Sequence, residues 1–310
     1  MSWTFQSIAI VGSGAVGLYY GGRLAAAGED VSFLVRGDYE ALSTRGLVIE
    51  SIAGDCELRE LKIARTAAEI GPVDLVIVAW KATSNGQLAE ILPPLLHAHT
   101  QVLTLQNGLG NCENIAEIVG PERVLGGLCF VCINRITPGL IRHSGGGRVA
   151  IGEWQPSGGD DGRAGEIARR FQLAKIDAIA VENLQKSQWE KLIWNIPFNG
   201  LSVAEGGVTT DVLLADPAME NYIRQIMQEV LAAAHAQGLE LDPALIEWNI
   251  TRTWPMGAYR TSSMIDFLAG HEVEVAPIWE EPLRRATQCG LPMPLTERLL
   301  QRIHARLAVR

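Results

Sequence analysis

The sequence predicts an α/β protein with an N-terminal doubly wound sheet domain, residues 1–184, followed by an all-α C-terminal domain, residues 185–310. Three observations predict this fold class. Strand-like and helix-like runs alternate in the N-terminal half, a glycine-rich turn joins the first such pair, and strand patterns stop at about residue 185. A length of 310 residues also favours two domains over one.

The first strand-to-helix junction carries the glycine pattern. A β-branched run, SIAIV, precedes it, a helix-like run follows, and a second strand is predicted over 30–35, which together form a βαβ unit. Gly12, Gly14 and Gly17 stand in G-x-G-x-x-G order, where missing side chains let the backbone approach a pyrophosphate at a helix N-terminus. We therefore predict a Rossmann-type dinucleotide-binding domain. The alternative is a tight turn that needs glycine only for its geometry.

The end of the second strand indicates which dinucleotide binds. In folds that prefer NAD, an acidic residue about 20 positions on bonds the ribose 2'-hydroxyl, whereas an arginine suits a 2'-phosphate. Here Arg36 follows the strand, and its guanidinium can grip a phosphate. We predict NADPH as the cofactor. The alternative is that Arg36 is a solvated loop residue and Asp38 binds the ribose.

Two more polar residues follow predicted buried strands. The run at 73–85 is interpreted as a strand that ends at Lys81, and the run at 101–111 as a strand that ends at Asn107. Ligands of open α/β sheets bind beyond the carboxyl ends of the strands. We therefore assign Lys81 to the cofactor and Asn107 to both cofactor and substrate, although either could be a loop residue that faces solvent.

Composition excludes several other classes of protein. A net charge of -9 argues against a nucleic-acid binder, and the scattered histidines lack the spacing of a zinc site. No apolar run reaches the ~20 residues of a membrane span, and the N-terminus lacks the pattern of a signal peptide. The five cysteines are too few and too widely spaced for a disulfide framework, which indicates a reducing compartment, and we expect a cytoplasmic protein. We also expect a monomer or homodimer without a bound metal. Cys129 and Cys132 form a C-x-x-C, but strand alternation would separate their sulfurs.

The pattern of the C-terminal half predicts helices. The segment 216–238 has Asp216 as a helix N-cap, Pro217 in the first turn and Gly238 just past the end. Its apolar residues form one stripe: Ile223, Ile226, Met227, Val230 and Leu231.

One apolar helix, predicted around 188–203, carries a line of polar residues. Lys191, Asn195 and Asn199 recur every fourth position, which places them within an arc of about 80° on a helix. Pro197 removes one backbone N–H and should kink this helix. The alternative to a binding site is a helix edge with exposed amides. A lysine beside a nicotinamide can donate a proton as charge develops on a ketone oxygen, and partial burial would bring its pKa toward neutrality.

The sequence resembles the ketopantoate reductase (2-dehydropantoate 2-reductase) family over nearly its whole length. That resemblance implies a Rossmann domain, a helical domain and NADPH-dependent reduction of a 2-oxo acid to a 2-hydroxy acid, as in pantothenate biosynthesis. The matching segments are the glycine turn with Arg36, WKA at Lys81, LQNGLG at Asn107, KLIWNIPFNG at 191–200 and SSMIDFLAGHEVEV at 262–275.

The same resemblance assigns roles to residues of the helical domain. Lys191 would be the general acid, and Asn195 and Asn199 would hold the substrate. Ser263 would bind near the carboxylate of the 2-oxo acid, and Glu274 would position lysine and substrate.

The sequence departs from the family pattern where substrate choice is expected. Thr209 stands where the family has a further substrate-binding asparagine, if no gap intervenes. Ala276, Trp279 and Glu280 replace an Asp and an Asn-Gly pair after Glu274. We predict ketopantoate as the leading substrate. The alternatives are a paralogous reductase of another branched 2-oxo acid, a non-catalytic NADPH-binding sensor, and a β-hydroxyacid dehydrogenase.

Overall fold

Ten strands of the described chain, residues 3–155 and 162–309 of a computed structural model, form one mixed sheet. They are β1 Ser7–Val11, β2 Asp30–Leu34, β3 Leu47–Ser51, β4 Cys56–Leu58, β5 Lys62–Ala64, β6 Leu75–Val78, β7 Gln101–Thr104, β8 Val124–Thr137, β9 Leu140–Glu153 and β10 Ala178–Ala180. The helices among them are α1 Ala15–Ala26, α2 Tyr39–Arg45, α3 Ala67–Ile70, α4 Leu88–Ile91, α5 Asn111–Val119 and α6 Arg163–Leu173.

The strand order is that of a dinucleotide-binding fold with an added half-sheet. Six parallel strands run β5-β2-β1-β6-β7-β8, which is the 3-2-1-4-5-6 order of the Rossmann fold. The chain order reverses between β1 and β6, so the carboxyl ends of these two strands mark the switch point where ligands bind in such sheets. The predicted fold class of this half is confirmed.

The two predicted strands that follow are shorter than their apolar runs. β6 ends at Val78 and β7 ends at Thr104, so Lys81 and Asn107 lie in the loops beyond them. Backbone N–H groups of Ala79 and Leu105 still bond to the neighbouring strands, which carries both loops outward along the sheet edge. Lys81 precedes a 3-10 turn, Ala82–Gln87.

A long hairpin, β8 and β9, extends the sheet beyond the parallel strands. Its antiparallel pairing is interrupted by register shifts, for example between Phe130 and Val131, and β9 also pairs in parallel with β3 and β10. The C-x-x-C lies in β8, and both of its cysteines are free thiols. The sequence analysis indicates a strand here but not the hairpin, although the Pro138–Gly139 turn that joins its two strands is a local signal.

The second half of the chain is helical, as predicted. Its helices are α7 Leu184–Ala204, α8 Thr210–Ala215, α9 Pro217–Ala236, α10 Leu245–Thr253, α11 Ser262–Leu268, α12 Glu281–Gln288 and α13 Pro294–Ala308, with a π-helical turn at Ala276–Glu280. The chain divides into two compact units. The first consists of Met1–Asn107 and Asn111–Leu184, and the second consists of Gly108–Gly110 and Gln185–Arg310. No helix in the described ranges is long and apolar enough to cross a membrane.

Helix α9 is the centre of the helical core and forms as its end signals predict. The Asp216 side chain accepts a hydrogen bond from the Ala218 N–H at 2.9 Å, which satisfies one orphan donor of the first turn. The predicted apolar stripe is buried throughout. Glu229 accepts bonds from the backbone N–H groups of Leu295 and Thr296, and so anchors the start of α13.

Helix α7 continues through Pro197, and a neighbouring tryptophan supports it there. Proline has no N–H to donate to the carbonyl one turn back. The indole Nε1 of Trp279 donates to the Ile196 carbonyl at 3.0 Å, inside the core. A Cβ on Gly200 would lie 2.9 Å from that indole nitrogen, so glycine at this position gives the tryptophan its access to the helix.

Asp74 ties the start of the sheet together and makes its stability depend on pH. Its carboxylate accepts from the N–H groups of Gln6 at 2.8 Å and Ser7 at 3.0 Å, and its other oxygen contacts His97. Burial works against ionisation, but these donors outweigh it and hold the pKa of Asp74 below its usual value. A depressed folded pKa stabilises the fold above the unfolded pKa of about 3.9, and this stability disappears as pH falls through the folded pKa.

We therefore expect Asp74→Asn to lower the free energy of unfolding by about 1–2 kcal/mol at pH 7. The difference from the wild type should shrink as the pH is lowered from 5 to 2, measured by urea unfolding. Asp30→Asn is the control, because Asp30 is in an exposed ion pair with Lys62 and should cost less than ~0.5 kcal/mol. A difference that persists undiminished at pH 2 would contradict the titration argument.

Candidate functional site

The three glycines of the turn in the first unit differ in the space that surrounds them. Gly12 has a φ of +115°, and a Cβ there would lie 2.5 Å from the backbone nitrogen of Trp80. A Cβ on Gly17 would lie 1.9 Å from the Gly12 carbonyl oxygen, so α1 starts directly against the turn. Gly14 caps α1, and a Cβ there would meet nothing within 4 Å. The turn therefore presents an open glycine backbone at a helix N-terminus, which is the geometry that admits a pyrophosphate.

The two candidates for ribose recognition have different surroundings. Arg36 is exposed, and its guanidinium carbon lies 5.3 Å from the centroid of the Trp80 ring. Across the described ranges, no carboxylate forms an ion pair with it. Asp38 is only 7% exposed and bonds to Arg135 at 2.5 Å. The guanidinium is thus available to an anion, whereas the carboxylate is neutralised.

Amide side chains link the loops after β6 and β7, a feature that sequence analysis missed. Asn85 Oδ1 accepts from the Trp80 indole at 3.3 Å and from Gln106 Nε2 at 2.7 Å. Asn85 Nδ2 donates to Asn111 at 3.0 Å, and Asn111 donates to the Asn107 carbonyl at 2.8 Å. We name the three amide side chains Asn85, Gln106 and Asn111 the amide chain. It joins the loop that carries Lys81 to the loop that carries Asn107.

The predicted polar line of the second unit is present on α7. Lys191 is half-buried, whereas Asn195 is 8% and Asn199 2% exposed. These positions repeat every fourth residue of an unbroken helix, so they share one face. The alternative of an exposed helix edge is excluded for the two asparagines by their burial.

The two asparagines differ in what they bond. Asn199 Oδ1 accepts from the Ser263 N–H at 3.0 Å and from the Ser262 hydroxyl at 3.3 Å, and so holds the first turn of α11. Ser263 is 3% exposed and lies beside Asn199. No protein group hydrogen-bonds the Asn195 amide in the part of the chain that the structure describes, and no atom of that amide is sealed from solvent. Asn195 therefore has hydrogen-bonding capacity left for a ligand.

Glu274 lies in the extended segment that follows α11. It is half-buried, as Lys191 is, and it immediately precedes the helical turn that begins at Val275. The described residues include no group of three metal-ligating side chains.

Trp279, one of the departures from the family pattern, lies in the core. Trp279 is 0% exposed and packs in the helical core, with its indole on the Ile196 carbonyl. Its role is to support α7, and sequence reasoning could not see this because the contact spans 83 residues. Ala276 and Glu280, in the same π-helical turn, are exposed. The Thr209 hydroxyl donates to Asp211, within the first turn of α8.

Arg252 is a further cation that sequence reasoning missed. Its guanidinium carbon lies 4.5 Å from the Trp248 ring centroid and 5.8 Å from that of Trp194, and Nε donates to Asn249 at 2.9 Å. Burial lowers the pKa of this guanidinium from its ordinary value, and the group remains a cation at neutral pH.

Comparison with known proteins agrees with both halves of this description. A family model described as Ketopantoate reductase PanE/ApbA matches residues 8–156, and one described as Ketopantoate reductase PanE/ApbA C terminal matches residues 183–307. A 2-dehydropantoate 2-reductase of Nostoc sp. is 39% identical over 93% of this chain and 91% of its own length.

Solved structures give the same result. A 2-dehydropantoate 2-reductase of Geobacter metallireducens superposes with a TM-score of 0.94 at 43% identity, over 96% of this chain and 99% of its own. A 2-dehydropantoate 2-reductase of Methylococcus capsulatus gives a TM-score of 0.88 at 32% identity, over 98% and 97%. These matches confirm the resemblance: the chain belongs to the ketopantoate reductase family and is an oxidoreductase that uses a nicotinamide cofactor.

Proposed function

We propose that the chain reduces 2-dehydropantoate (ketopantoate) to pantoate with NADPH, and that its site residues are those assigned from the sequence. The observation that carries this proposal is the line on α7, where a half-buried lysine shares one face with a buried amide that has no hydrogen-bond partner among the described residues. The names of the relatives from Nostoc and Geobacter support the choice of substrate.

The residues of the first unit fit NADPH. An open Gly14 at the start of α1 leaves room for a pyrophosphate, and Gly12 and Gly17 keep the turn tight. Arg36, which forms no ion pair with a carboxylate of the described residues, supplies a cation for the 2'-phosphate. Lys81, in the loop after β6, is a further cation assigned to the cofactor. The bound cofactor supplies a hydride to the keto carbon.

Lys191 donates the proton that completes the reduction. As the keto carbon accepts the hydride, negative charge develops on oxygen, and a positioned ammonium stabilises that charge before transferring its proton. Glu274 holds the lysine and the substrate in register for this transfer.

The remaining polar groups hold the 2-oxo acid. Asn195 offers an amide that forms no hydrogen bond within the described residues, and Ser263 binds near the substrate carboxylate. Asn199 acts on the substrate through the start of α11, since its oxygen already holds the Ser263 N–H. Asn107, in the loop after β7 of the first unit, is also assigned to the substrate because it follows a predicted strand.

Two other functions remain as alternatives with distinct outcomes. A paralogue on the same machinery would reduce another branched 2-oxo acid faster than ketopantoate, whereas a non-catalytic sensor would bind NADPH and oxidise none of them. A sensor needs neither Lys191 nor Glu274, which weighs against it. Oxidation of NADPH followed against a panel of 2-oxo acids separates the three; no turnover with any of them would overturn the proposal.

Cofactor preference is expected to depend on Arg36. Wild-type protein should bind NADPH more tightly than NADH, and Arg36→Ala should reduce that preference by about 1.5–3 kcal/mol, the range of charged hydrogen bonds. Dissociation constants from cofactor fluorescence titration provide the measurement. Equal affinity of the wild type for both cofactors would refute this reading of the second strand.

Removal of the proton donor is expected to slow turnover without disturbing the cofactor. Lys191→Ala should lower kcat by ~10²–10⁴ and leave the NADPH dissociation constant nearly unchanged. Glu274→Ala should act on the same step, so the double variant should lose less than the product of the two single losses. Full activity of Lys191→Ala would exclude lysine as the acid.

Discrimination at the substrate hydroxyl is expected to be modest. A site that hydrogen-bonds a hydroxyl rejects analogues without it by ~10⁴ or more, because its polar groups are left unpaired. Thr209 reaches less far than asparagine, and its hydroxyl already donates to Asp211. The ratio of kcat/KM for ketopantoate over 2-oxoisovalerate should therefore fall below ~10⁴. A larger ratio would show that other groups read the hydroxyl.

A further inference from the structure

The long side chain of Arg36 makes one contact within the described residues, with the ring of Trp80. It is exposed, no carboxylate pairs with it in the described ranges, and its guanidinium lies over the Trp80 ring at 5.3 Å from the centroid. A free arginine side chain samples many rotamers, and binding of a phosphate must overcome the entropy lost when they are restricted. An aromatic face that already holds the guanidinium removes part of that cost.

Trp80 can act as such a platform because its own position is fixed at two points. Its backbone lies against the glycine turn, where any Cβ on Gly12 would come within 2.8 Å of the Trp80 Cα. At the far end of the side chain, the indole N–H donates to Asn85 Oδ1. A ring held at both its base and its edge presents its face in one direction.

The indole's acceptor is itself held in place. Asn85 Oδ1 also accepts from Gln106, whose Oε1 accepts in turn from the Thr104 hydroxyl at 2.9 Å at the end of β7. Asn85 Nδ2 donates to Asn111, in the first turn of α5. The Asn85 amide is thus held by hydrogen bonds to residues of the loops that follow β6 and β7. The orientation of the platform is set by the amide chain rather than by local backbone alone.

We propose that Trp80 is a positioning residue for cofactor discrimination: its indole, oriented by Asn85, holds Arg36 where the guanidinium meets the 2'-phosphate of NADPH. This inference rests on the proposed use of NADPH and extends it, since Trp80 acts on the phosphate only through Arg36.

The test is a double-mutant cycle on cofactor binding, without substrate. Dissociation constants for NADPH and NADH are measured for wild type, Trp80→Leu, Arg36→Ala and the double variant. Leucine keeps an apolar side chain at this partly buried position. Trp80→Leu should lower the NADPH preference about two- to fivefold, the equivalent of ~0.5–1 kcal/mol for an exposed cation–π pair, while NADH affinity stays unchanged.

In the Arg36→Ala background, Trp80→Leu should change the preference no further, because the residue through which it acts is gone. Trp80→Phe, which keeps an aromatic face, should fall between wild type and leucine. Asn85→Ala should lower the preference in the same direction. Thr83→Ala is the matched control, since Thr83 lies exposed on the same 3-10 turn and should have no effect.

Each contrary result has a distinct meaning. An unchanged preference in Trp80→Leu, or an equal loss in the Arg36→Ala background, would overturn the positioning role even if the wild type prefers NADPH. An unchanged preference in Asn85→Ala would overturn the part assigned to the amide chain. A wild type without NADPH preference would overturn both this inference and the proposed cofactor, whereas failure of ketoacid turnover alone would leave the cycle's result intact.

Discussion

The first unit depends on a turn in which two glycines leave no room for a side-chain carbon. Gly17 brings α1 against the Gly12 carbonyl oxygen, and Gly12 brings the turn against the Trp80 backbone. The same two contacts fix the start of α1, the approach of the loop after β6, and the direction of the Trp80 side chain. Because the turn is filled from the protein side at both glycines, Gly14 is left as its open face. A substitution at either position would have to move backbone atoms rather than a flexible side chain.

In the second unit the corresponding constraint is a helix that must continue through a proline. A break at Pro197 would rotate Asn199 away from Lys191, and the line of polar groups would be lost. The helix stays unbroken, and the Trp279 indole binds its backbone at the Ile196 carbonyl beside the proline, where Gly200 leaves space for the ring. The core packing that accompanies the polar line therefore lies on the adjacent face of the same helix, about 100° away.

The sequence predicts the features that depend on neighbouring residues. Strand β1 matches its predicted bounds, and α9 begins and ends where its capping residues indicate, since these signals act within one turn. The amide chain was missed because Asn85 bonds to groups 21 and 26 residues away. The burial of Trp279 was missed for the same reason. Pattern reasoning identifies which side chains are polar or apolar, but not which distant group satisfies them.

The long hairpin, which the sequence did not predict, also bears on cofactor choice. An arginine two positions from an aspartate would ordinarily be free to pair with it, and the pair would cancel the charge that a 2'-phosphate needs. Here Arg135, at the outer end of β8, bonds Asp38 and buries it. That ion pair leaves Arg36 as an uncancelled cation on an acidic protein of net charge -9. The positive charge at the end of β2 thus depends on the ion pair that neutralises Asp38 as much as on the presence of Arg36.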